Sequence, residues 1–172
     1  MTRLLAISGS LREASSNTSL LEAAARLAPA GIAIERYHDL GALPHFNPDM
    51  ELKPPAIVLA LRARVDASDG LLISCPEYAR GIPGSFKNLL DWLVGSPNFQ
   101  GKPVALFNTS PRASEAQKSL RLVLETIAAR IVGEACLTVD LMTRKLDPDE
   151  IAGDKMISTA IQSALMAFES AI

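Results

Sequence analysis

The sequence predicts a three-layer α/β domain: a doubly wound five-stranded parallel sheet in the order 2-1-3-4-5, with helices on both faces. Three observations predict it. Short apolar runs recur with room for a helix between them, apolar residues within each run stand at consecutive positions, and helix-period patterns fill the intervals. Consecutive apolar positions mark strands covered on both faces, as in parallel sheets. Strand and helix in alternation imply right-handed crossovers, and five strands favour 2-1-3-4-5 over a six-strand dinucleotide fold.

The expected strands are Leu4–Ile7, Ile32–Ile34, Leu71–Ser74, Val104–Phe107 and Ala135–Val139. A first helix opens after the first strand and runs to about Leu27. Pro54-Pro55 is a start signal for a helix whose apolar face carries Ile57, Ala60, Leu61 and Val65. Pro83-Gly84 precedes another, and Ser114-Glu115 opens one with Leu120, Val123, Leu124, Ile127 and Ile131 along a face. Asp147-Pro148-Asp149-Glu150 introduces a C-terminal helix marked by Ile157, Ile161, Leu165 and Phe168. In such a sheet, ligands bind beyond the carboxyl ends of the strands where strand order reverses. Attention therefore falls on the loops after Ile7, Ser74 and Phe107.

The length of 172 residues suits a single domain spanning residues 1–172. A net charge of −2 carries no electrostatic footprint for nucleic acid, and no apolar stretch reaches the roughly 18 residues of a membrane span. The opening Met1–Ser10 segment is too short in apolar residues for a signal peptide, and Arg12 and Glu13 stand where cleavage would fall. The cysteines Cys75 and Cys136 have no metal or CxxC spacing, so a cytoplasmic location is expected.

The first loop, Ser8-Gly9-Ser10-Leu11-Arg12-Glu13-Ala14-Ser15-Ser16-Asn17, has the chemistry of an anion site. Helix N-termini carry unpaired N–H groups and partial positive charge. Ser8, Ser10, Ser15, Ser16 and Asn17 add donors, and Arg12 adds a fixed cation suited to phosphate oxygens. Plain capping of the helix by Ser15 or Asn17 is the competing reading, but capping needs only one such residue. Neither G-x-G-x-x-G nor G-x-x-x-x-G-K-[ST] occurs here.

The second loop opens Cys75-Pro76-Glu77-Tyr78-Ala79-Arg80-Gly81-Ile82-Pro83-Gly84 and leads into Ser85 to Trp92. Its two prolines and two glycines make a stiff turn able to present N–H groups to a flat ring. Together the two loops resemble the NAD(P)H-dependent FMN reductase family, which includes flavin, quinone, azo-dye and chromate reductases. Gly9, Ser10, Leu11, Arg12, Ser15 and Asn17 match its G-S-L-R-x-x-S-x-N loop. Pro76, Glu77, Tyr78, Pro83, Gly84, Lys87, Asn88, Asp91 and Trp92 match its second signature. The resemblance implies a flavodoxin-like fold, FMN as cofactor, NADPH or NADH as co-substrate, and a homodimer or dimer of dimers. It further implies that the first loop holds the FMN phosphate while Pro76, Glu77, Tyr78 and Ala79 border the isoalloxazine. Arg80, Gly81 and, in the third loop, Ser110 complete the candidate cofactor-binding set.

Two departures from the pattern stand out. Ala79 replaces the family's usual asparagine and Gly81 its frequent serine; one lost side-chain hydrogen bond costs about 1 kcal/mol, roughly fivefold in affinity. The third loop, Asn108-Thr109-Ser110-Pro111-Arg112-Ala113-Ser114-Glu115, has no glycine where relatives often have several. Either its side chains crowd the ring and weaken FMN binding, or the loop takes another shape and binds normally.

Cys75 reads as a small buried thiol ending a strand, Cys136 as core, and His45 as an exposed loop residue. Arg80 and Arg112 stand in loops expected around the flavin and suit the phosphates of a nicotinamide cofactor. Trp92 reads as packing. The expected activity is hydride transfer from NAD(P)H through FMN to a flavin, quinone or similar acceptor. A flavodoxin-type electron carrier and a non-catalytic relative are the alternatives. No dedicated acid–base residue is evident, and none is needed if a bound flavin carries the hydride and electron chemistry.

Overall fold

The computed structural model describes residues 1–172. Its central strand, β1 (Thr2–Ser8), is buried from Leu4 onward and pairs in parallel with β2 (Ile32–Tyr37) on one side and β3 (Gly70–Ser74) on the other. β3 pairs with β4 (Pro103–Asn108), giving the order 2-1-3-4 and, with the edge beyond β4, 2-1-3-4-5 as expected.

The edge strand itself departs from its expected span. It is broken into β5 (Arg130–Ile131) and β6 (Leu137–Thr138), separated by a single helical turn at Gly133–Ala135. β5 pairs with Pro103 and Val104, and β6 with Phe107 and Asn108. Cys136 lies in this break, where its Sγ accepts the Leu106 N–H at 3.4 Å, and is only half-buried. Ile131 belongs to β5 and not to the preceding helix. That helix ends because Ala128 takes φ 61°, turning the chain towards the sheet. A four-residue apolar spacing fits a helix face, but it also fits a turn into a strand, and here pairing with β4 decides.

Helices cover both faces. α1 (Ser16–Arg26), α5 (Pro148–Gly153) and α6 (Lys155–Ala171) lie on one face; α2 (Ala56–Ala67), α3 (Gly84–Val94) and α4 (Ser114–Thr126) lie on the other. The two cores divide by strand parity. Leu5, Ile7, Leu71, Ile73, Val104 and Leu106 point to the α2–α4 side, while Leu4, Ala6, Leu72, Ala105 and Phe107 point to the α1–α6 side. The expected C-terminal helix is two helices. Asp147 caps α5 through a capping box with Glu150, and Asp154 then caps α6 by accepting the N–H groups of Met156 and Ile157. Ile157, Ile161, Leu165 and Phe168 form the buried face of α6, as the spacing requires.

No helix is long and apolar enough to cross a membrane. At the foot of β3, a Cβ on Gly70 would fall 2.8 Å from the Phe168 ring, so only glycine lets α6 lie this close to the sheet. Gly70→Ala is expected to cost about 1–3 kcal/mol, the usual range for overpacking, read as a lowered midpoint in urea unfolding. An unchanged midpoint would show that Phe168 moves aside freely.

Candidate functional site

The parallel register brings Ser8 level with Ser74, so the loops after β1 and β3 leave the sheet side by side, with the loop after β4 next to them. Gly9 is the point of closest approach. Its N–H bonds the Ser74 carbonyl at 2.8 Å, and a Cβ there would stand 3.0 Å from Cys75 Sγ and 3.3 Å from the Phe86 ring.

Within the first loop, hydroxyls brace the backbone. Ser8 is 6% exposed; its Oγ accepts the Ser10 N–H at 3.3 Å and the Thr18 hydroxyl at 2.9 Å. Ser10 Oγ in turn accepts the Arg12 N–H at 3.3 Å. Ser15 caps α1 by accepting the Thr18 N–H, so capping and a donor-rich loop coexist. The N–H groups of Glu13, Ala14 and Ser15 find no acceptor in the chain. Those of Ser16 and Asn17 open the helix, where no carbonyl precedes them at bonding distance. Asn17 is not the cap. It is 6% exposed, and its Oδ1 accepts the hydroxyls of Ser74 at 2.9 Å and Thr109 at 3.4 Å, which leaves its amide N–H groups without a partner in the chain.

The second loop holds its shape by a tight turn. Tyr78 and Gly81 exchange two backbone hydrogen bonds of 3.0 Å, and the residues between them, Ala79 and Arg80, have φ of 50° and 60°. Both central residues left-handed is the pattern of a type I′ turn. The left-handed positions thus fall on Ala79 and Arg80, not on either glycine of the loop, because the bonds close around 78 and 81. Glu77 turns its carboxylate to the head of α4, where Oε2 accepts the N–H groups of Glu115 at 3.0 Å and Ala116 at 2.9 Å. The residue in the cap position of α4, Ala113, offers no side-chain bond. Glu77 therefore ties the second loop to the third and supplies negative charge at a helix start.

The third loop needs no glycine to hold its conformation. Asn108 accepts the Ser110 N–H at 3.2 Å and donates to the Ser110 carbonyl at 2.6 Å, and no residue from 108 to 114 has a positive φ. Ser110 is buried; its hydroxyl donates to Met142 Sδ at 2.8 Å and accepts the Arg112 N–H at 3.1 Å.

Between the three loops lies one cleft. Towards α1 it has about 200 Å³ walled by Arg12, Ser16, Asn17 and Tyr78; towards α4 it has about 280 Å³ walled by Glu77, Asn108, Ser110 and Arg112. Asn17, Pro76, Thr109 and Met142 belong to both ends. Of the sequence candidates, Ser10, Arg12, Ser15, Ser16, Asn17, Pro76, Glu77, Tyr78 and Ser110 line it, whereas Ser8, Ala79, Arg80 and Gly81 do not. Thr109, Leu141 and Met142 line it without having been singled out. Thr109 was within reach of sequence reasoning as a neighbour of Ser110. Met142 was not, since only the folding of the segment after β6 brings it over the loops.

The donor set fits a phosphate and a flat ring. Unpaired N–H groups, hydroxyls and Arg12 gather at one end, while Pro76, Asn108, Thr109 and Ala113 border the other. Cys75 is 1% exposed, and burial pushes its thiol up to about 12, so it stays protonated and inert at neutral pH. Trp92 is fully buried. Its indole N–H donates to the Pro44 carbonyl at 2.8 Å, and Asn88 bonds both that carbonyl and the Phe46 N–H. The second signature thereby fastens the loop that carries the exposed His45.

Two substitutions test the loop supports. Ala79→Gly is expected to stabilise the fold by about 1 kcal/mol, since the left-handed region costs alanine roughly that much. Glu77→Ala is expected to lose about 1–2 kcal/mol, the range for a lost helix cap. Both are read as shifts of the thermal or urea midpoint, and opposite signs would contradict the geometry.

Comparison with known proteins follows the same lines. Residues 2–143 match the family described as NADPH-dependent FMN reductase. A 2-hydroxy-1,4-benzoquinone reductase of a Burkholderia species is 38% identical over 125 residues, 69% of this chain and 68% of that protein. An NAD(P)H-dependent FMN reductase of Pseudomonas aeruginosa is 31% identical over 173 residues, 97% of this chain and 93% of its own. Among solved structures, FerB, a flavoenzyme NAD(P)H:(acceptor) oxidoreductase from Paracoccus denitrificans, matches with TM-score 0.79 at 28% identity, covering 99% of this chain and 98% of that one. The fold is flavodoxin-like, and the sheet order, the two loop motifs and these matches agree: the chain belongs to the NADPH-dependent FMN reductase family.

Proposed function

We propose that the chain is an NAD(P)H-dependent FMN oxidoreductase that passes reducing equivalents to a small acceptor of the quinone class. The observation that carries this reading is the cleft itself. Five successive backbone N–H groups without acceptors, from Glu13 to Asn17, follow Arg12 in the chain; Ser15, Ser16 and Asn17 join Arg12 at one end of the cleft, and a rim of Pro76, Tyr78 and Thr109 leads to the other.

In this reading the first loop would hold the FMN phosphate through the N–H groups of residues 13–17 and the hydroxyls of Ser10 and Ser16. Arg12 would add a charged, forked donor. Asn17, pinned by Ser74 and Thr109, would direct its amide towards the ribityl chain or phosphate. Pro76 to Tyr78 and Asn108 to Ser110 would border the ring. When bound, FMN supplies the site that accepts hydride from NAD(P)H and returns reducing equivalents to the acceptor. The protein's part is to position, to exclude water on the closed side and to leave one face open. The carboxylate of Glu77, bonded to two amides, serves as a support rather than a proton carrier. The exposed cations Arg80 and Arg112 would attract the phosphates of NADPH or NADH from solution.

The matched quinone and FMN reductases support a quinone or flavin acceptor over a protein partner. Exposed Leu11 and Tyr78 beside the cleft suit a homodimer or dimer of dimers, which light scattering would read as mass. The free cysteines suit a reducing cytoplasm.

The test is reconstitution with FMN, followed by NADPH and NADH oxidation against a panel of benzoquinones, free flavins and azo compounds. Oxidation that requires both FMN and a quinone is expected; none with any acceptor would sink the assignment. Arg12→Ala is expected to weaken FMN binding about tenfold, as loss of a charge-assisted hydrogen bond does, measured by flavin fluorescence quenching.

A further inference from the structure

Beyond β6 the chain does not leave the sheet directly for α5. Residues 139–147 form a strap whose Leu141 and Met142 line the cleft and whose Lys145, Leu146 and Asp147 line the cavity beside it. Val139 N–H bonds the Asn108 carbonyl at 2.8 Å, Leu141 N–H bonds the Thr109 carbonyl at 3.1 Å, and Met142 Sδ accepts the Ser110 hydroxyl. The strap thus extends the third loop's backbone and then crosses towards the start of α1. It lies largely outside the segment that carries the family motifs, and residues 144–147 lie beyond the family match altogether.

Where it crosses, the strap closes a cavity of about 390 Å³ over the first turn of α1, walled by Arg12, Ser15, Ser16, Met142, Lys145 and Asp147 among others. The charges in this wall are unequal in their engagements. Asp147 caps α5 by accepting the Glu150 N–H at 2.8 Å. The neighbouring Arg144 pairs with Asp154 at 2.9 Å. Arg12 and Lys145 belong to none of the chain's ion pairs. Two unpaired cations therefore share a wall with the unpaired N–H groups at the start of α1. Asn17, 6% exposed and with an unpartnered amide, lines the adjoining part of the cleft. Both cations are exposed to water and the Asp147 carboxylate shares their wall, so the cavity carries a net positive charge beside free donors, which attracts an anion.

We propose that Lys145 is a second cation for the FMN phosphate, carried over the start of α1 by the strap of residues 139–147 and acting opposite Arg12. This rests on the proposed function, since it assigns a residue to that same phosphate. The strap would work as a clamp: its bonds to Asn108 and Thr109 hold its near end, and the ion pair of Lys145 with the phosphate holds its far end. A charge supplied from outside the family motifs would also strengthen binding in a chain whose third loop lacks glycine.

The experiment compares FMN with riboflavin, which has the same ring and no phosphate. Dissociation constants for both are measured by fluorescence quenching or calorimetry on the full chain, with Lys145→Ala, Lys145→Glu and Lys145→Arg alongside the unaltered protein, at low and moderate salt. Lys145→Ala is expected to weaken FMN binding about five- to tenfold, as for a largely exposed ion pair with a multiply charged partner, and to leave riboflavin unchanged. Lys145→Glu is expected to weaken FMN binding further, Lys145→Arg to retain most of it, and the salt dependence of FMN binding to flatten in the alanine variant. Equal FMN affinity in the unaltered and alanine proteins, or an equal loss for riboflavin, would overturn the proposal while leaving the functional reading in place. An unaltered chain that binds neither compound would overturn both. Far-UV circular dichroism and melting curves check that each variant is folded, and Lys145→Gln serves as a second neutral variant.

Discussion

The position of β1 between β2 and β3 is the constraint on which the site depends. Parallel neighbours must be joined by crossovers, and the chain crosses over one face to reach β2 and over the other to reach β3. The loops leaving β1 and β3 therefore diverge from adjacent strand ends, Ser8 beside Ser74. That divergence opens a crevice which no side chain of the sheet can fill. Any helix that starts there points its unpaired N–H groups into the crevice, and α1 does so.

The walls of the crevice are kept apart by polar bonds between loops, not by apolar packing. Ser74 and Thr109 hold Asn17, Glu77 holds the head of α4, and Asn108 closes its own loop through Ser110. Each is a side chain bonding to a neighbouring loop or to nearby backbone. Such bonds contribute about 1 kcal/mol apiece, yet leaving their buried partners unpaired would cost more. The arrangement gives the cleft defined edges while its donors remain available. Beneath it, two cores separated by strand parity carry the fold: residues facing α2–α4 and residues facing α1–α6 alternate along β1, β3 and β4.

Much of this was legible in one dimension. Four strands fell where consecutive apolar residues marked them, and the starts of α1 to α4 fell at their Ser, Pro and Glu signals, because local sterics and capping act over a few residues. The broken edge strand was not legible. Ile131 carries a spacing suited to a helix face, and only Ala128 in a left-handed conformation, with β4 waiting beyond, turns it into β5. The division of the C-terminal helix at Asp154 was written in the sequence as a second cap, but the apolar spacing of α6 obscured it. In the site, Arg12 and Asn17 were readable as donor residues. The roles of Ser8 and Glu77 were not, since each acts as a brace: Ser8 accepts from Ser10 and Thr18, and Glu77 accepts the N–H groups of Glu115 and Ala116, almost forty residues away.

What the sequence alone determined is the class of the protein: alternating apolar runs and helices imply a parallel sheet, and two motifs of serine, arginine, proline and glutamate mark its ligand loops. These are short-range properties, set by residue type and spacing. The tertiary structure alone decided which of those residues face the cleft, that Ala79 and Arg80 carry the left-handed turn, and that Met142 lines the cleft while Lys145 lines the cavity beside it. Those outcomes depend on hydrogen bonds between segments tens of residues apart, such as Leu141 to Thr109 and Glu77 to Ala116. Such pairings leave no periodicity in the chain; they exist only once the strands have set the loops side by side.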